Sequence, residues 1–431
     1  MTMTSVANET ASVRLPRYTR SELPERSNPS LPGEVRTQVR AIVEEVRQGG
    51  EAAARAFGIR FGDLREDGPV VLGPADLAKA FERLDASSQQ VLTQTHARIF
   101  RFAAAHRASI QDLTIDVPGG KAGIRHEPVA SAGCYAPGGR FPLPSSVLMT
   151  CTTARAAGVG EVWVASPRPT DATLAAAHIA GANGVLSLGG AHGIAALAFG
   201  SCGQTRANVV VGPGNVWVTA AKELLAGEIR IDMLAGPSEL LVIADVGASA
   251  KTVAADLLAQ AEHDADACPM LVATDPALPD RVDAELAKQL VDLPTAEIAR
   301  RALQNGFACV VSDVAEACML ANQIGPEHLS LHTADAAEHK DRLRNYGALF
   351  LGGGSAEVFG DYGVGPNHVL PTGGSTSSFG ALSVMDFLRV QEWLDIDPAQ
   401  APEVVTDAAA LARMEGLEGH ARAALCRRPE S

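Results

Sequence analysis

Glutamine, histidine and aspartate side chains recur along this chain at spacings that suit a divalent metal. Gln260-Ala261-Glu262-His263 sets an amide oxygen and an imidazole three positions apart. The residues before them (Val253, Leu257, Leu258) keep helical spacing, and residues three apart on a helix share a face. Much later, Gly360-Asp361-Tyr362 sets a carboxylate just past a glycine, and Gly365-Pro366-Asn367-His368 follows it. Mixed nitrogen and oxygen donors of this kind suit zinc, manganese or another first-row ion. No cysteine joins them, which argues against a closed structural site and for an open one that also meets substrate. Each fragment has a plainer reading. A QxxH pair can cap a helix or sit on a surface, an aspartate in a turn commonly bonds its own backbone, and His368 can be a structural loop histidine.

Glu327 and His328, in Gly325-Pro326-Glu327-His328-Leu329-Ser330-Leu331, form a candidate acid–base pair at the start of a short strand. Histidine titrates near neutral pH and is the usual base for a hydroxyl proton. A nearby carboxylate can activate water. Strand neighbours point to opposite faces, so the two are expected to serve different sides of a cleft. A loop pair meeting solvent is the alternative. Glu415 and His420 lie five apart in Glu415-Gly416-Leu417-Glu418-Gly419-His420. A continuous helix would not aim both at one point, so the glycines must bend the chain if both touch one ligand. Otherwise the segment is a frayed terminal helix.

Three glycine-rich loops fall where strands give way to helices. Gly189-Gly190-Ala191-His192-Gly193 and Gly212-Pro213-Gly214-Asn215 each open an alanine-rich helix, and either is expected to offer backbone N–H groups to a phosphate. Tyr135-Ala136-Pro137-Gly138-Gly139 supplies a ring expected to stack on an adenine or nicotinamide. There is no GxGxxG fingerprint after the first strand. Together the three loops point to a nucleotide cleft.

These residues must be positioned by a fold of matching rhythm. Helical spacing dominates 33–57 and 75–109, and a strand-rich patch follows at 113–136. Short β-branched runs then alternate with alanine-rich helical segments: Glu161–Ala165, Asn208–Val211, Glu239–Ala244, Met270–Ala273, Ala308–Val311 and Ala348–Leu351. That is the βαβ rhythm of parallel sheets covered by helices. The expected fold is α/β, with two Rossmann-like parallel-sheet domains, helices on both faces, and smaller N- and C-terminal helical modules. The expected divisions are a flexible arm at 1–30, a helical segment at 31–112, a first, NAD-side domain at 113–245, a second at 246–375, and a return segment with a helical module at 376–431.

Composition narrows the class. The chain has 431 residues, 46% of them hydrophobic and 4% aromatic, and a formal net charge of −14. No basic run gathers the positive charge, so no nucleic-acid partner is expected on electrostatic grounds. No apolar run is long enough to span a bilayer, and no signal-peptide core opens the chain. The seven cysteines stand singly, which fits a reducing cytosol. A cytoplasmic location is expected.

The ordered blocks resemble those of the histidinol dehydrogenase family. They are Tyr-Ala-Pro-Gly-Gly at 135–139, Gly-Pro-Gly-Asn at 212–215, Asp-Met-Leu-Ala-Gly-Pro-Ser-Glu at 232–239 and Gln-Ala-Glu-His at 260–263. Pro-Glu-His-Leu at 326–329, Gly-Asp-Tyr at 360–362, Gly-Pro-Asn-His-Val-Leu-Pro-Thr at 365–372 and Glu-Gly-Leu-Glu-Gly-His at 415–420 complete the series. The resemblance runs from about 35 to 428. It implies a zinc-dependent, NAD-linked enzyme that oxidises L-histidinol to L-histidine in two hydride transfers through the aldehyde, the last steps of histidine biosynthesis. It further implies a homodimer in which a terminal segment completes the partner's site. By match of position, Gln260, His263, Asp361 and His420 would hold zinc, and Glu327 and His328 would be the acid–base residues. Ser238, His368 and Glu415, with those ligands and the acid–base pair, would meet substrate. Tyr135, His192 and Asn215 would line the NAD site, although the family usually has glutamine at the position of His192. Relatives that act on other small alcohols, including sulfonated diols, keep an alternative substrate open. A metallohydrolase would leave the Gly-Pro-Gly-Asn and Tyr135 loops without a role, and a non-catalytic descendant would have lost Glu327 or His328.

Overall fold

The structure, a computed structural model, describes residues 13–23, 31–138 and 141–428. Residues 13–23 fall in the stretch expected as a flexible arm, and they differ from that expectation. β1 (Arg17–Tyr18) adds a parallel strand beside Phe307–Val310. Leu15 is buried, and its amide donates to Asp283 Oδ1 at 3.2 Å. One apolar anchor and a few ladder bonds order the segment. The rest of that arm lies outside the described residues.

The chain then builds α1 (Gly33–Arg60), kinked at Gly50 where φ is +58°, β2 (Val71–Leu72), α2 (Pro74–Arg83) and α3 (Ala86–Ser109). Asp85 caps α3 by accepting the Ser88 amide, which satisfies an otherwise orphan donor. β3 (Leu113–Val117) and β4 (Gly120–Pro128) form an antiparallel hairpin.

The first parallel unit follows, each strand answered by a helix. It comprises β5 (Ser131–Tyr135), α4 (Pro144–Ala157), β6 (Glu161–Ala165), α5 (Asp171–Ile179) and β7 (Gly184–Leu186). It continues with α6 (Gly190–Phe199), β8 (Val209–Val211), α7 (Val216–Leu225) and β9 (Arg230–Ile231). The sheet order is β2-β7-β6-β5-β8-β9, parallel except for β2. Counted from β5, its parallel strands run third, second, first, fourth, fifth.

The second unit repeats that order. It comprises β10 (Glu239–Ala244), α8 (Ala250–Ala261), β11 (Cys268–Ala273), α9 (Leu278–Gln289), α10 (Ala296–Ala302) and β12 (Phe307–Val310). α11 (Val314–Ile324), β13 (His328–His332), α12 (Ala336–His339), β14 (Ala348–Leu351) and α13 (Glu357–Asp361) complete it. The all-parallel order is β1-β12-β11-β10-β13-β14. β10, which the expected division at 245 assigned to the first unit, is an interior strand of the second sheet. Its continuous apolar run is the same in either sheet, so composition could not place it.

The chain returns through β15 (Leu388–Ile396), which pairs antiparallel with β4 along its whole length. α14 (Pro402–Met414) and α15 (Glu418–Leu425) follow as a helical hairpin. Alternating α/β layers thus enclose four apolar clusters, two on each sheet. No helix among the described residues is long and apolar enough to cross a membrane.

One buried ion pair fixes the loop after β8. Lys222 on α7 pairs with Asp232, and its Nζ donates to the Gly212 carbonyl at 3.0 Å. Asp232 also accepts the amides of Gly212 and Met233, each at 2.7 Å. Removing one partner strands a buried charge, which costs about 3–5 kcal/mol. Asp232→Ala is expected to lose about that much in urea unfolding. Lys222→Met with Asp232→Ala is expected to lose less than the sum of the two single variants, because the second change removes the stranded ammonium.

Candidate functional site

The polar residues gather where the amino ends of β10 and β13 meet the C-terminal end of α8. A parallel strand followed by a helix returns the chain to the edge where the strand began, so α8 ends beside the residues that precede β10. Gln260 lies in its last turn, fully buried, and neither its side-chain oxygen nor its nitrogen has a hydrogen-bond partner among the described residues. The helix stops at Ala261, so His263 sits in the following turn with a side chain 45% exposed. One turn before Gln260, Asp256 Oδ2 approaches His332 Nε2 on β13 at 3.0 Å.

α13 supplies the carboxylates. Asp361 Oδ2 is 3.7 Å from His263 Nε2, and its Oδ1 is 3.6 Å from His328 Nε2. Glu357, one helical turn earlier, lies 3.7 Å from His328 Nδ1. Glu357 carries no expectation from the sequence, although its four-residue spacing from Asp361 is a usable signal. Ligand atoms of His263, Glu357 and Asp361 all fall within 4.8 Å of one another. His368 Nδ1 meets the Asp361 carbonyl at 2.9 Å and steadies the end of α13.

Glu327 and His328 converge instead of serving opposite sides. β13 starts at His328, so Glu327 lies outside the pleat and escapes its alternation. Glu327 Oε2 accepts from Ser238 Oγ and from the Glu239 amide, each at 2.7 Å, and stands 3.6 Å from His328 Nδ1. His328 Nδ1 also lies 2.9 Å from the Glu239 carbonyl. A carbonyl only accepts, so Nδ1 carries the proton and Nε2 faces the carboxylate corner.

Electrostatics sort these groups. Burial raises Glu327 to about 7 and Glu357 to about 8. Burial opposes ionisation of Asp361 as well, but the His263 and His328 imidazoles beside it outweigh that and hold the carboxyl low. Burial also works against the His328 cation, yet Glu357, Glu327 and Asp361 lift it well above the usual imidazole range. The Asp361 carboxylate beside it raises His263, while burial lowers His368.

A cleft of about 1540 Å³ runs from this corner to the carboxyl ends of β5, β6 and β7, with Tyr135, His192, Asn215, His263 and Asp361 along its walls. That is large beside the few hundred to a thousand Å³ of most ligand sites, and it suits a dinucleotide with a substrate. Three cofactor expectations need correction. The Tyr135 ring is buried in the wall instead of presented for stacking, and burial pushes its hydroxyl up to about 12. The first amides of α6 are already taken. Gly189 N–H goes to Asp63 Oδ2 at 2.7 Å, and Gly190 N–H to the Tyr135 hydroxyl at 3.0 Å. Asn215 Oδ1 caps α7 by accepting the amides of Trp217 and Val218. Neither helix start offers those N–H groups to a phosphate. His192 is buried against Asp63, a partner the sequence did not suggest.

Glu415 and His420 are exposed on the α14–α15 hairpin, away from this corner's contacts within the chain. Gly416, at φ +77°, turns the chain between the two helices.

A family profile described as histidinol dehydrogenase matches residues 25–428. The histidinol dehydrogenase of Thermus thermophilus is 45% identical over 396 residues, 90% of this chain and 94% of that protein. A sulfopropanediol 3-dehydrogenase of Ruegeria pomeroyi is 37% identical over 402 residues, 91% of this chain and 92% of that protein. The crystal structure of histidinol dehydrogenase from Elizabethkingia anophelis superposes with a TM-score of 0.89 at 28% identity, covering 96% of this chain and 98% of that one.

Glu327 has a pH signature. Its carboxyl stands at about 7 when folded, against an ordinary value of 4.5. Between those values the folded chain holds a proton that the unfolded chain has lost, so stability falls as pH rises through that window. Glu327→Gln removes the burden. In chelator-treated protein the variant should be more stable than the parent at pH 8, by on the order of 2 kcal/mol. The gap should close near pH 5, with both read by urea unfolding. Equal stability at pH 8 would show the anion is well accommodated.

Proposed function

The chain belongs to the histidinol dehydrogenase family of oxidoreductases, and on that premise we propose that it oxidises L-histidinol to L-histidine with NAD, in two steps through the aldehyde. The observation that carries this reading is the junction of the acid–base corner with a dinucleotide-sized cleft. The donor set fits a metal. Gln260 buries an amide with both atoms unpartnered among the described residues, beside a corner that holds more carboxylates than imidazoles. Gln260, His263 and Asp361 would hold zinc, with His420 supplied by a second copy of the chain. When bound, zinc would supply a Lewis acid that anchors substrate nitrogen and oxygen atoms, and NAD would supply the hydride acceptor.

The chain's own side chains do the proton work. His328 keeps its Nδ1 proton on the Glu239 carbonyl, which aims Nε2 into the corner; a divalent cation bound there would favour the neutral imidazole, leaving Nε2 to take the carbinol proton. Glu327 sits near neutrality and is fixed by Ser238 and the Glu239 amide. It is placed to take a proton from water attacking the aldehyde. His368 holds the backbone at Asp361 and so holds that carboxylate's direction. Glu415 and His420 stand exposed on the terminal hairpin, which supports a homodimer in which each chain finishes the other's site. A cytoplasmic enzyme of histidine biosynthesis is the physiological reading.

A second reading is an NAD-dependent dehydrogenase of another small alcohol, such as a sulfonated diol. The 37% identity to a sulfopropanediol 3-dehydrogenase over nearly the whole chain favours keeping it. A substrate panel with NAD, followed by absorbance of NADH with and without chelator, separates the two. L-Histidinol should give two NADH per molecule, lose the signal on chelation and regain it with zinc. Signal from a sulfonated diol alone would establish the second reading. His328→Ala should retain zinc and lower turnover by about 100- to 10,000-fold. His263→Ala should lose bound metal and turnover together. Retained metal in the His263 variant would remove that residue from the ligand set.

A further inference from the structure

The carboxyl ends of the first sheet carry a fixed carboxylate that the proton chemistry does not use. In a sheet of order third, second, first, fourth, fifth, a dinucleotide crosses the switch point, here between β5 and β8. Its adenosine ribose meets the end of the second strand, where an acidic residue commonly takes the 2′-hydroxyl. That strand is β6, and Ser166-Pro167-Arg168-Pro169 follows it without an acid. Asp63 enters the same place from the loop after α1, beyond Gly62 at φ +76°. Its Oδ2 accepts the Gly189 amide at 2.7 Å and meets His192 Nε2 at 2.9 Å. Gly189 is crowded by the β6 exit. A Cβ there would fall 2.8 Å from Pro167 Cβ and 3.0 Å from Asp63 Oδ2. The carboxylate therefore stands at the ends of β6 and β7.

This pair is built into the wall. The side chains of Asp63 and His192 are 9% and 3% exposed. The rings of Phe57 and Phe61 lie 6.1 and 5.5 Å from the His192 ring. Both hydrogen bonds fall on Oδ2. No hydrogen bond from a described residue reaches Oδ1, and Asp63 lines the cleft. A buried carboxylate held by one oxygen has acceptor capacity to spare. Ribose hydroxyls can donate to it, whereas a phosphate ester cannot and would be repelled. Resting on the reading of this cleft as a dinucleotide site, we propose that Asp63 is the ribose-hydroxyl acceptor that selects NAD over NADP. His192 is a positioning residue that fixes the carboxylate, in place of the family's usual glutamine.

The test is kcat/KM for NAD and for NADP at saturating L-histidinol, on zinc-loaded enzyme. The parent should prefer NAD. Asp63→Asn should raise KM for NAD about 10- to 100-fold, the range for a lost charged hydrogen bond, with kcat little changed and the NAD-to-NADP ratio at least tenfold smaller. His192→Ala should shift the ratio the same way by less, and His192→Gln should restore it by donating one hydrogen bond. If Asp63→Asn fails to fold, the two His192 variants decide by the same ratio. A folded Asp63→Asn enzyme with the parent's ratio overturns the proposal. So does an equal loss for both cofactors, which would mark Asp63 as a helix cap alone. So does a ratio set by Arg168→Ala instead, since Arg168 lines the same cleft. If no variant, parent included, oxidises L-histidinol, the substrate reading fails. Calorimetric titration with NAD and NADP then still reads the ratio.

Discussion

Three carboxylates and two imidazoles share one buried corner, and that imbalance of charge constrains everything around it. Glu327 and Glu357 are pushed toward neutrality by burial, while His263 and His328 hold Asp361 as an anion. Like charges at such separations cannot all ionise in a poorly hydrated site. A divalent cation would complete the set, because its charge inverts the local preference for protonated carboxyls. Gln260 makes the same point without charge. A buried amide with no partner costs about 1–3 kcal/mol, and an apolar side chain at that position would avoid the penalty. Stability alone does not account for it. On the proposed reading the corner receives a ligand, and its energetic burden is borne by the packed sheets around it.

Those sheets share one topology and use it differently. The second sheet presents its amino edge to the site: Ser238 and Glu239 before and at β10, Glu327 and His328 at β13, and Gln260 on the returning helix. Its carboxyl-edge switch point is closed, since Asp245 accepts the amides of Gly247 and Ala334, each at 2.8 Å, and so bridges the exits of β10 and β13. The first sheet keeps its carboxyl edge open, and the cleft lies there. On the proposed reading, a repeated strand order is divided into a recognition edge and a reacting edge.

The sequence was most legible where the physics is local. A buried parallel strand reads as a continuous apolar run, which makes Glu239–Ala244 legible with its bounds, and the half-buried Glu161–Ala165 and Ala348–Leu351 keep enough of that pattern to be legible too. It did not say which sheet β10 joins, because both sheets are apolar on two faces. β15 went unseen: Leu-Arg-Val-Gln-Glu-Trp-Leu-Asp-Ile is mostly exposed and pairs with β4 from far earlier in the chain. The side chains of the corner are visible as motifs, yet their relations are not. The alternation rule separated Glu327 from His328, and it failed because the strand begins one residue later. Asp63 and His192 meet only through the tertiary fold, so no spacing encodes their pairing.

The terminal hairpin shows how far one chain can describe a shared site. Its own core is little more than Ala409, Ala412 and Ala421, and short helices with so small a contact are marginal in water. Leu411 and Met414 are left 59% and 83% exposed. Apolar side chains set beside Glu415 and His420 suit burial against another surface, and on the dimeric reading that surface is a second copy. Contact and chemistry then become one equilibrium. The apolar burial that holds the hairpin in place is what would bring an imidazole to the neighbouring corner, and the coupling is reciprocal. Whatever draws His420 to a cation there also draws the two chains together.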